Sequence, residues 1–283
     1  MDSGNIGFVL LCAAFVFVMT PGLAMFYGGL VRKKNVVNTM MTSIFIIGIG
    51  IVMWVLFGYS LSFAPSGNAF IGDFRWLGLE GVSLTEGYTD GASIPNMVFS
   101  AFQMMFAVIT PALITGAVAG RMKFKSIFVF TIFWSLIVYY PLAHMVWGQG
   151  GLLGADGIGA LDFAGGDVVH ISSGVSALVL CILLGKRHDY EHSIYRIHNI
   201  PTVVLGASLL MFGWFGFNAG SALAADGLAA HAFMTTGVSA AAAMLSWMLC
   251  DVIKNKKPTL IGASTGMVAG LVGITPGAGF VPM

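Results

Sequence analysis

Charge is the property that this chain lacks most. Only 9% of its 283 residues are Asp, Glu, Lys or Arg, against about 25% in an ordinary soluble domain, whereas 57% are hydrophobic. This composition excludes a soluble globular protein. The formal net charge is only +1, so no basic surface is available for nucleic acid. The mean hydropathy of +0.89 is typical of a protein built from membrane-spanning segments.

Cysteines and catalytic motifs are also scarce. Cys12, Cys181 and Cys250 lie far apart in apolar stretches, without a Cys-x-x-Cys pair. We therefore expect buried packing residues here, with no disulfide and no metal site. No phosphate loop or His-Glu-x-x-His motif occurs. Because these motifs are missing, we expect a protein that is not an enzyme and binds no cofactor.

Long apolar runs are what the chain does contain. Eight of them reach or approach the ~20 residues that a helix needs to cross a bilayer. They predict an all-α, polytopic membrane protein with eight transmembrane helices, at 6–30, 40–63, 97–119, 126–147, 168–185, 201–220, 228–250 and 259–275. The N-terminus lacks the basic region of a cleaved signal peptide, so we expect the first segment to be retained.

The basic residues predict the orientation of these helices. If the N-terminus is outside, all of the 13 Lys and Arg residues except Arg75 fall on the inner side, as the positive-inside rule requires. The acidic residues that face outward are Asp73, Glu80, Glu86, Asp90, Asp156, Asp162 and Asp226. An acidic outer face would mildly concentrate cations. Equally, acids would collect where bases are excluded.

Small residues recur at four-residue spacing on three segments. The positions are Gly116 and Gly120, then Gly216 and Gly220, then Gly262, Gly266 and Gly270. Because small side chains let helices approach closely, we expect these positions to form packing faces without a catalytic role.

The stretch 162–174 combines a carboxylate, a glycine pair and a histidine at the start of the fifth apolar segment. Asp162 stands four residues before Gly166, which predicts a cap on free backbone N–H groups. Direct contact with a ligand is a compatible alternative. His170 lies inside the apolar run, where an ionisable residue is costly and indicates function by default. The alternative is a neutral imidazole bonded to a neighbouring helix.

Aromatic and hydroxyl side chains recur at one depth on three segments. Phe102 and Phe106 share a face of the third segment, Trp147 ends the fourth, and Phe217 and Ser221 lie near the outer end of the sixth. One interpretation is an outer cage in which aromatic faces attract a cation by about 0.5–2 kcal/mol. The other is an interfacial tryptophan with packing phenylalanines. The residues alone favour packing.

We assign no site to the remaining histidines. His144 is expected at the outer interface of the fourth segment. The others are His188, His192 and His198 in an inner loop and His231 near the outer end of the seventh segment.

Taken together, these residues resemble the ammonium transporter (Amt/Mep/Rh) family. The matching stretches run from Thr20 to Arg32, from His144 to Gly148, from Asp162 to His170 and from Gly213 to Ser221. The resemblance implies two inverted halves of five helices, one pore in each subunit of a homotrimer, and ammonium as the substrate. It also implies a multi-pass protein of the cell membrane and a cytoplasmic PII-type regulatory partner.

The resemblance also implies roles for individual residues. Phe106, Trp147 and Ser221 match the outer ammonium-recruitment site, and Phe106 and Phe217 match the stacked phenylalanine gate. His170 matches the first of two pore histidines that line the pore and relay a proton. Asp162 matches the structural carboxylate near the site.

The family has eleven helices, and its second pore histidine lies in the tenth. This chain ends at Met283 after the eighth. We therefore expect residues 1–283 to form a single transmembrane domain that is incomplete at its C-terminus and does not close a pore by itself.

Two other functions remain open at this stage. A membrane sensor module for ammonium would carry an appended signalling domain, and a related channel would conduct another small polar solute such as urea. An enzyme would need a second catalytic group near His170, and the sequence offers none.

Overall fold

A computed structural model describes residues 1–65, 67–155, 157–187, 190 and 195–283. Asp156, His188 and His192 lie outside the described residues. The described residues form helices and loops without a strand, and eight helices are long and apolar enough to cross a membrane. The predicted all-α, eight-helix membrane fold is confirmed.

The eight helices are numbered here in chain order. They are α1 Ser3–Leu30, α2 Lys33–Phe63, α3 Asn96–Val118, α4 Phe124–Trp147, α5 Gly166–Leu184, α6 Ile200–Gly220, α7 Gly227–Asn255 and α8 Leu260–Gly277. The largest difference from the predicted bounds is at the start of α2, which was expected at residue 40. The 3₁₀ turn Lys33–Asn35 continues directly into the helix there.

Four helices begin at a polar side chain that accepts a backbone N–H from the first turn. Such a cap matters most in apolar surroundings, where a free N–H has no water to bond. The caps are Asp2 for α1, Asn199 for α6, Asp226 for α7 and Thr259 for α8.

Helices α1 and α6 pack antiparallel along their whole length. At one end Gly29 lies against Val203 and Asn199, and at the other Gly216 lies against Cys12 and Phe15. A Cβ atom on Gly29 would stand 2.7 Å from the Val203 backbone nitrogen, so only glycine permits this approach. The spacing of small residues thus sets how closely the first and sixth helices pack.

The predicted glycine face of α8 is confirmed, whereas the prediction for Gly120 is wrong. A Cβ on Gly266 would lie 2.6 Å from Trp247 Cβ of α7. Gly116 lies against the Tyr27 ring. Gly120, in contrast, follows the end of α3 with a φ of +71°. Its left-handed backbone conformation, which glycine adopts readily, ends the helix.

The basic loops meet at one end of the bundle. Arg121 Nη1 donates to the Gly185 carbonyl at 2.8 Å, and the Arg32 and Arg187 guanidinium groups lie 5.5 and 5.1 Å from the Tyr195 ring centre. We call this the basic end. The opposite end, which carries Ser3 and residues 64–65 and 67–95, is called the N-terminal end. This arrangement is the one that the predicted topology requires.

The expectation of buried cysteines holds for Cys12 and is wrong for Cys250. Cys12 is buried, Cys181 is half-buried and Cys250 is exposed. Cys250 lies on α7, which packs mainly against α6 and α8 and turns the rest of its surface outward.

The α1–α6 contact yields a testable pair of variants. Gly29→Ala should lower the free energy of unfolding by about 1–3 kcal/mol, because the new Cβ collides with α6 backbone that cannot move aside. Gly7→Ala on the same helix meets nothing within 4 Å and should be neutral or stabilising. Thermal unfolding in detergent measures both. Equal melting temperatures for the two variants would contradict the close approach.

Candidate functional site

The Asp162 carboxylate holds the beginning of α5. Its Oδ1 accepts the backbone N–H groups of Gly165 and Gly166, each at 2.6 Å, and its Oδ2 accepts those of Asp167 at 2.8 Å and Val168 at 3.2 Å. Gly165 turns the chain into the helix with a φ of +116°, a conformation that favours glycine. One side chain therefore satisfies four N–H groups that would otherwise lack a partner.

Two opposing effects act on this carboxyl group. Asp162 is only 9% exposed, and this burial raises its pKa. The four N–H donors oppose that shift, because they stabilise the ionised form. The position at the positive end of the α5 dipole favours the same ionised form.

Asp162 and Trp147 border a cavity at the N-terminal end. The indole Nε1 of Trp147 donates to the Asp162 carbonyl at 3.0 Å, which fixes the plane of the ring. The cavity, called here the N-terminal cavity, has a volume of about 260 Å³. Its lining residues are Tyr88, Thr89, Phe99, Gln103, Trp147, Asp162, Phe163, Ser221 and Leu223. Ser221 caps the end of α6 and donates its hydroxyl to the Phe217 carbonyl at 2.9 Å.

Phe106 lies next to this cavity without lining it. The Phe106 ring meets Trp147 edge-on at 6.0 Å and Phe102 at 4.9 Å. On its other side it packs against Phe217 with ring centres 4.2 Å apart. Phe106 and Phe217 are 1% and 0% exposed, so the pair closes the path beyond the cavity in this structure.

His170 lies on the far side of this phenylalanine pair. It belongs to the π-helical turn Gly166–Ile171, and its ring stacks on Trp214 at 5.3 Å and on Phe217 at 6.0 Å. Among the described residues its buried Nε2 has no hydrogen-bond partner. The imidazole therefore keeps one nitrogen available for a solute.

A second cavity reaches His170 from the basic end. It has a volume of about 730 Å³, and its lining includes Tyr27, Ser173, Arg187 and Tyr195 besides His170. We call it the basic-end cavity. The site residues thus follow one another in a line, from the N-terminal cavity through the phenylalanine pair and the histidine to the basic-end cavity.

Three residues of this arrangement were missed from the sequence. Trp214 stacks on His170 and donates its Nε1 to Thr275 Oγ1 at 2.8 Å. Tyr88 comes from the loop before α3 and stacks on Phe99. Burial raises the pKa of Tyr88 to about 12, so its hydroxyl stays neutral. Gln103 stands three residues before Phe106 on one helix face, and that spacing could have indicated it.

His144 is not at an interface, contrary to expectation. It is fully buried, with Nδ1 3.1 Å from the Ser62 carbonyl and Nε2 2.8 Å from the Asn68 carbonyl. The ring joins α4 to the end of α2, because a ring N–H that donates to a carbonyl group there compensates for burial. In the described part of the chain, no group of three His, Cys, Asp or Glu side chains is placed to hold a metal.

Comparison with known proteins agrees with this geometry. Residues 7–283 match the model of the Ammonium Transporter Family. The chain belongs to that family. It is 54% identical over 282 residues to an ammonium transporter of Bacillus subtilis, and the match covers 99% of this chain and 68% of that protein. The recognition made from the sequence is thereby confirmed.

Solved structures of this family share the fold. The crystal structure of Saccharomyces cerevisiae Mep2 matches with a TM-score of 0.91 at 39% identity, covering 100% of this chain and 64% of that one. A structure titled Sensor Amt Protein matches with a TM-score of 0.87 at 29% identity, covering 98% and 69%. The chain therefore spans about two thirds of the length of the relatives that it matches.

The cap on α5 predicts a large effect from one carboxylate. Asp162→Ala should lower the free energy of unfolding by about 3 kcal/mol or more, since it strands four buried N–H donors. Asp167→Ala is the matched control. It removes a neighbouring carboxylate, keeps the backbone N–H and should cost less than about 1 kcal/mol. Denaturation of both purified variants in detergent gives the comparison, and similar losses would contradict the four-fold cap.

Proposed function

We propose that this protein recruits ammonium in the N-terminal cavity and conducts it as ammonia to the basic-end cavity. The order of the site residues carries this proposal. A cavity with polar groups is followed by the closed Phe106–Phe217 pair and then by His170, whose Nε2 is buried without a partner among the described residues. Family membership and the named relatives support ammonium as the substrate.

The N-terminal cavity offers what a partly dehydrated cation needs. Trp147 presents an aromatic ring, and aromatic faces attract cations by about 0.5–2 kcal/mol once water is removed. The Ser221 hydroxyl already donates its hydrogen to Phe217, so its oxygen lone pairs are free to accept an N–H. The nearby Asp162 carboxylate adds a fixed negative charge that favours a cation.

The phenylalanine pair favours loss of a proton from ammonium before the solute passes between the rings. Moving an ionised ammonium group between two apolar rings costs far more than moving neutral ammonia, which carries no charge. Beyond the rings, His170 offers a nitrogen that can accept a proton or an N–H. The two phenylalanine rings must move apart for passage, because they are in contact in this structure.

We also propose a cell-membrane location with the N-terminal end outside. The clustering of Arg32, Arg121 and Arg187 at the opposite end supports this orientation. Assembly as a homotrimer and binding of a PII-type protein at the basic end are further proposals, supported by the family resemblance.

One observation favours a second candidate function. The structure titled Sensor Amt Protein shares the fold of this chain over 98% of its length. A sensor would use the same cavity to bind ammonium without conducting it. Flux separates the two functions, because a sensor binds the cation and a transporter moves it.

Substitution of His170 tests the conduction route. In liposomes containing the full-length protein, His170→Ala should lower ammonium flux by at least about tenfold, because the step beyond the phenylalanine pair loses its proton acceptor. His231→Ala is the control. That ring bonds the Val281 carbonyl at 2.9 Å outside both cavities, and its loss should leave flux unchanged.

The same liposomes distinguish the alternatives. Ammonium flux with no urea flux is expected. Urea flux of similar size would indicate a less selective channel, and ammonium binding without any flux would favour the sensor. Unchanged ammonium flux in well-folded His170→Ala protein would remove His170 from the route.

A further inference from the structure

The N-terminal cavity is short of hydrogen-bond acceptors for its proposed occupant. Ammonium has four N–H bonds, each of which needs a partner when water is removed. Both Asp162 carboxylate oxygens already accept two backbone N–H groups each. Trp147 carries only a donor, and that donor is already bonded to the Asp162 carbonyl. The Tyr88 hydroxyl accepts the Gln149 N–H at 3.1 Å.

One lining residue has an acceptor with no partner. Gln103 comes from α3, lines the cavity and is only 8% exposed. Its Oε1 is buried and makes no hydrogen bond within the described residues. A buried carboxamide oxygen without a partner costs free energy and is rare in folded proteins. Such a cost indicates a group kept for a ligand.

We propose that Gln103 Oε1 accepts an N–H bond from the ammonium ion in the N-terminal cavity, as a second acceptor beside Ser221. The inference rests on the proposed function and assigns one further residue to the same site. The terminal torsion of a glutamine side chain has broad, shallow wells, so the carboxamide can turn its oxygen toward the cavity when the ion arrives. Its cost in the empty cavity is then recovered on binding.

This acceptor would give the cavity a selectivity that aromatic rings cannot supply. An aromatic face attracts any cation of suitable size, whether or not it carries N–H bonds. A carboxamide oxygen forms a hydrogen bond only with a cation that can donate one. Ammonium donates four such bonds, whereas tetramethylammonium donates none. Comparing the two ions therefore separates the hydrogen bond from the aromatic contribution.

The experiment is calorimetric titration of the purified full chain in detergent with ammonium chloride and with tetramethylammonium chloride. Gln103→Met keeps the length of the side chain and removes the acceptor. It should raise the Kd for ammonium about tenfold, the effect of one hydrogen bond to a charged donor, and leave the Kd for tetramethylammonium unchanged. Asn255→Leu removes an exposed carboxamide at the end of α7, away from the cavity, and should change neither value.

A second variant keeps the test informative if Gln103→Met fails to fold. Gln103→Glu retains an acceptor oxygen and adds charge, so it should bind ammonium at least as tightly as the unchanged protein. Unchanged ammonium binding in Gln103→Met would overturn the inference. So would equal weakening for both cations, or weaker ammonium binding in Gln103→Glu.

Flux measurements keep this inference separate from the proposed function. Ammonium flux through liposomes combined with no effect of Gln103→Met on binding would overturn only the role of Gln103. The expected binding pattern combined with no flux would overturn only conduction.

Discussion

The four hydrogen bonds to the Asp162 carboxylate are the interaction on which the site depends. They fix the first turn of α5, and that turn carries His170. The Asp162 carbonyl also holds the Trp147 indole, so the same residue sets one wall of the N-terminal cavity. A buried carboxylate is stable here because backbone N–H groups compensate its charge, and these groups do not change their protonation with pH. The aromatic wall and the histidine are thereby positioned by one side chain.

Charge and apolar surface are separated along the line of the site. Polar groups line the two cavities, whereas the rings of Phe106, Phe217 and Trp214 surround the segment between them. The cost of dehydrating a cation therefore rises steeply at the phenylalanine pair, which is where a neutral species gains its advantage. Trp214 additionally holds the His170 ring in place, and its own N–H is bonded to Thr275 of α8. Helices α3, α5, α6 and α8 all contribute to this short segment.

The fold could be predicted largely from the sequence, and the site only in part. Hydropathy and basic residues depend on local composition, so all eight helices and the grouping of the basic loops followed from them. The Asp162 cap also follows from local spacing. Contacts between distant segments did not follow: the burial of His144 depends on carbonyl groups some 80 positions earlier, and Trp214 meets His170 across two helices. Only the structure shows that the buried Gln103 Oε1 has no hydrogen-bond partner among the described residues.

The most direct test is amide hydrogen exchange at the start of α5, followed by mass spectrometry on the protein in detergent. If the Asp162 carboxylate holds this turn, the N–H groups of Gly165, Gly166, Asp167 and Val168 exchange as slowly as those in the middle of α3. Exchange at those four positions as fast as in the loop 67–95 would contradict the cap, and with it the placement of Trp147 and His170.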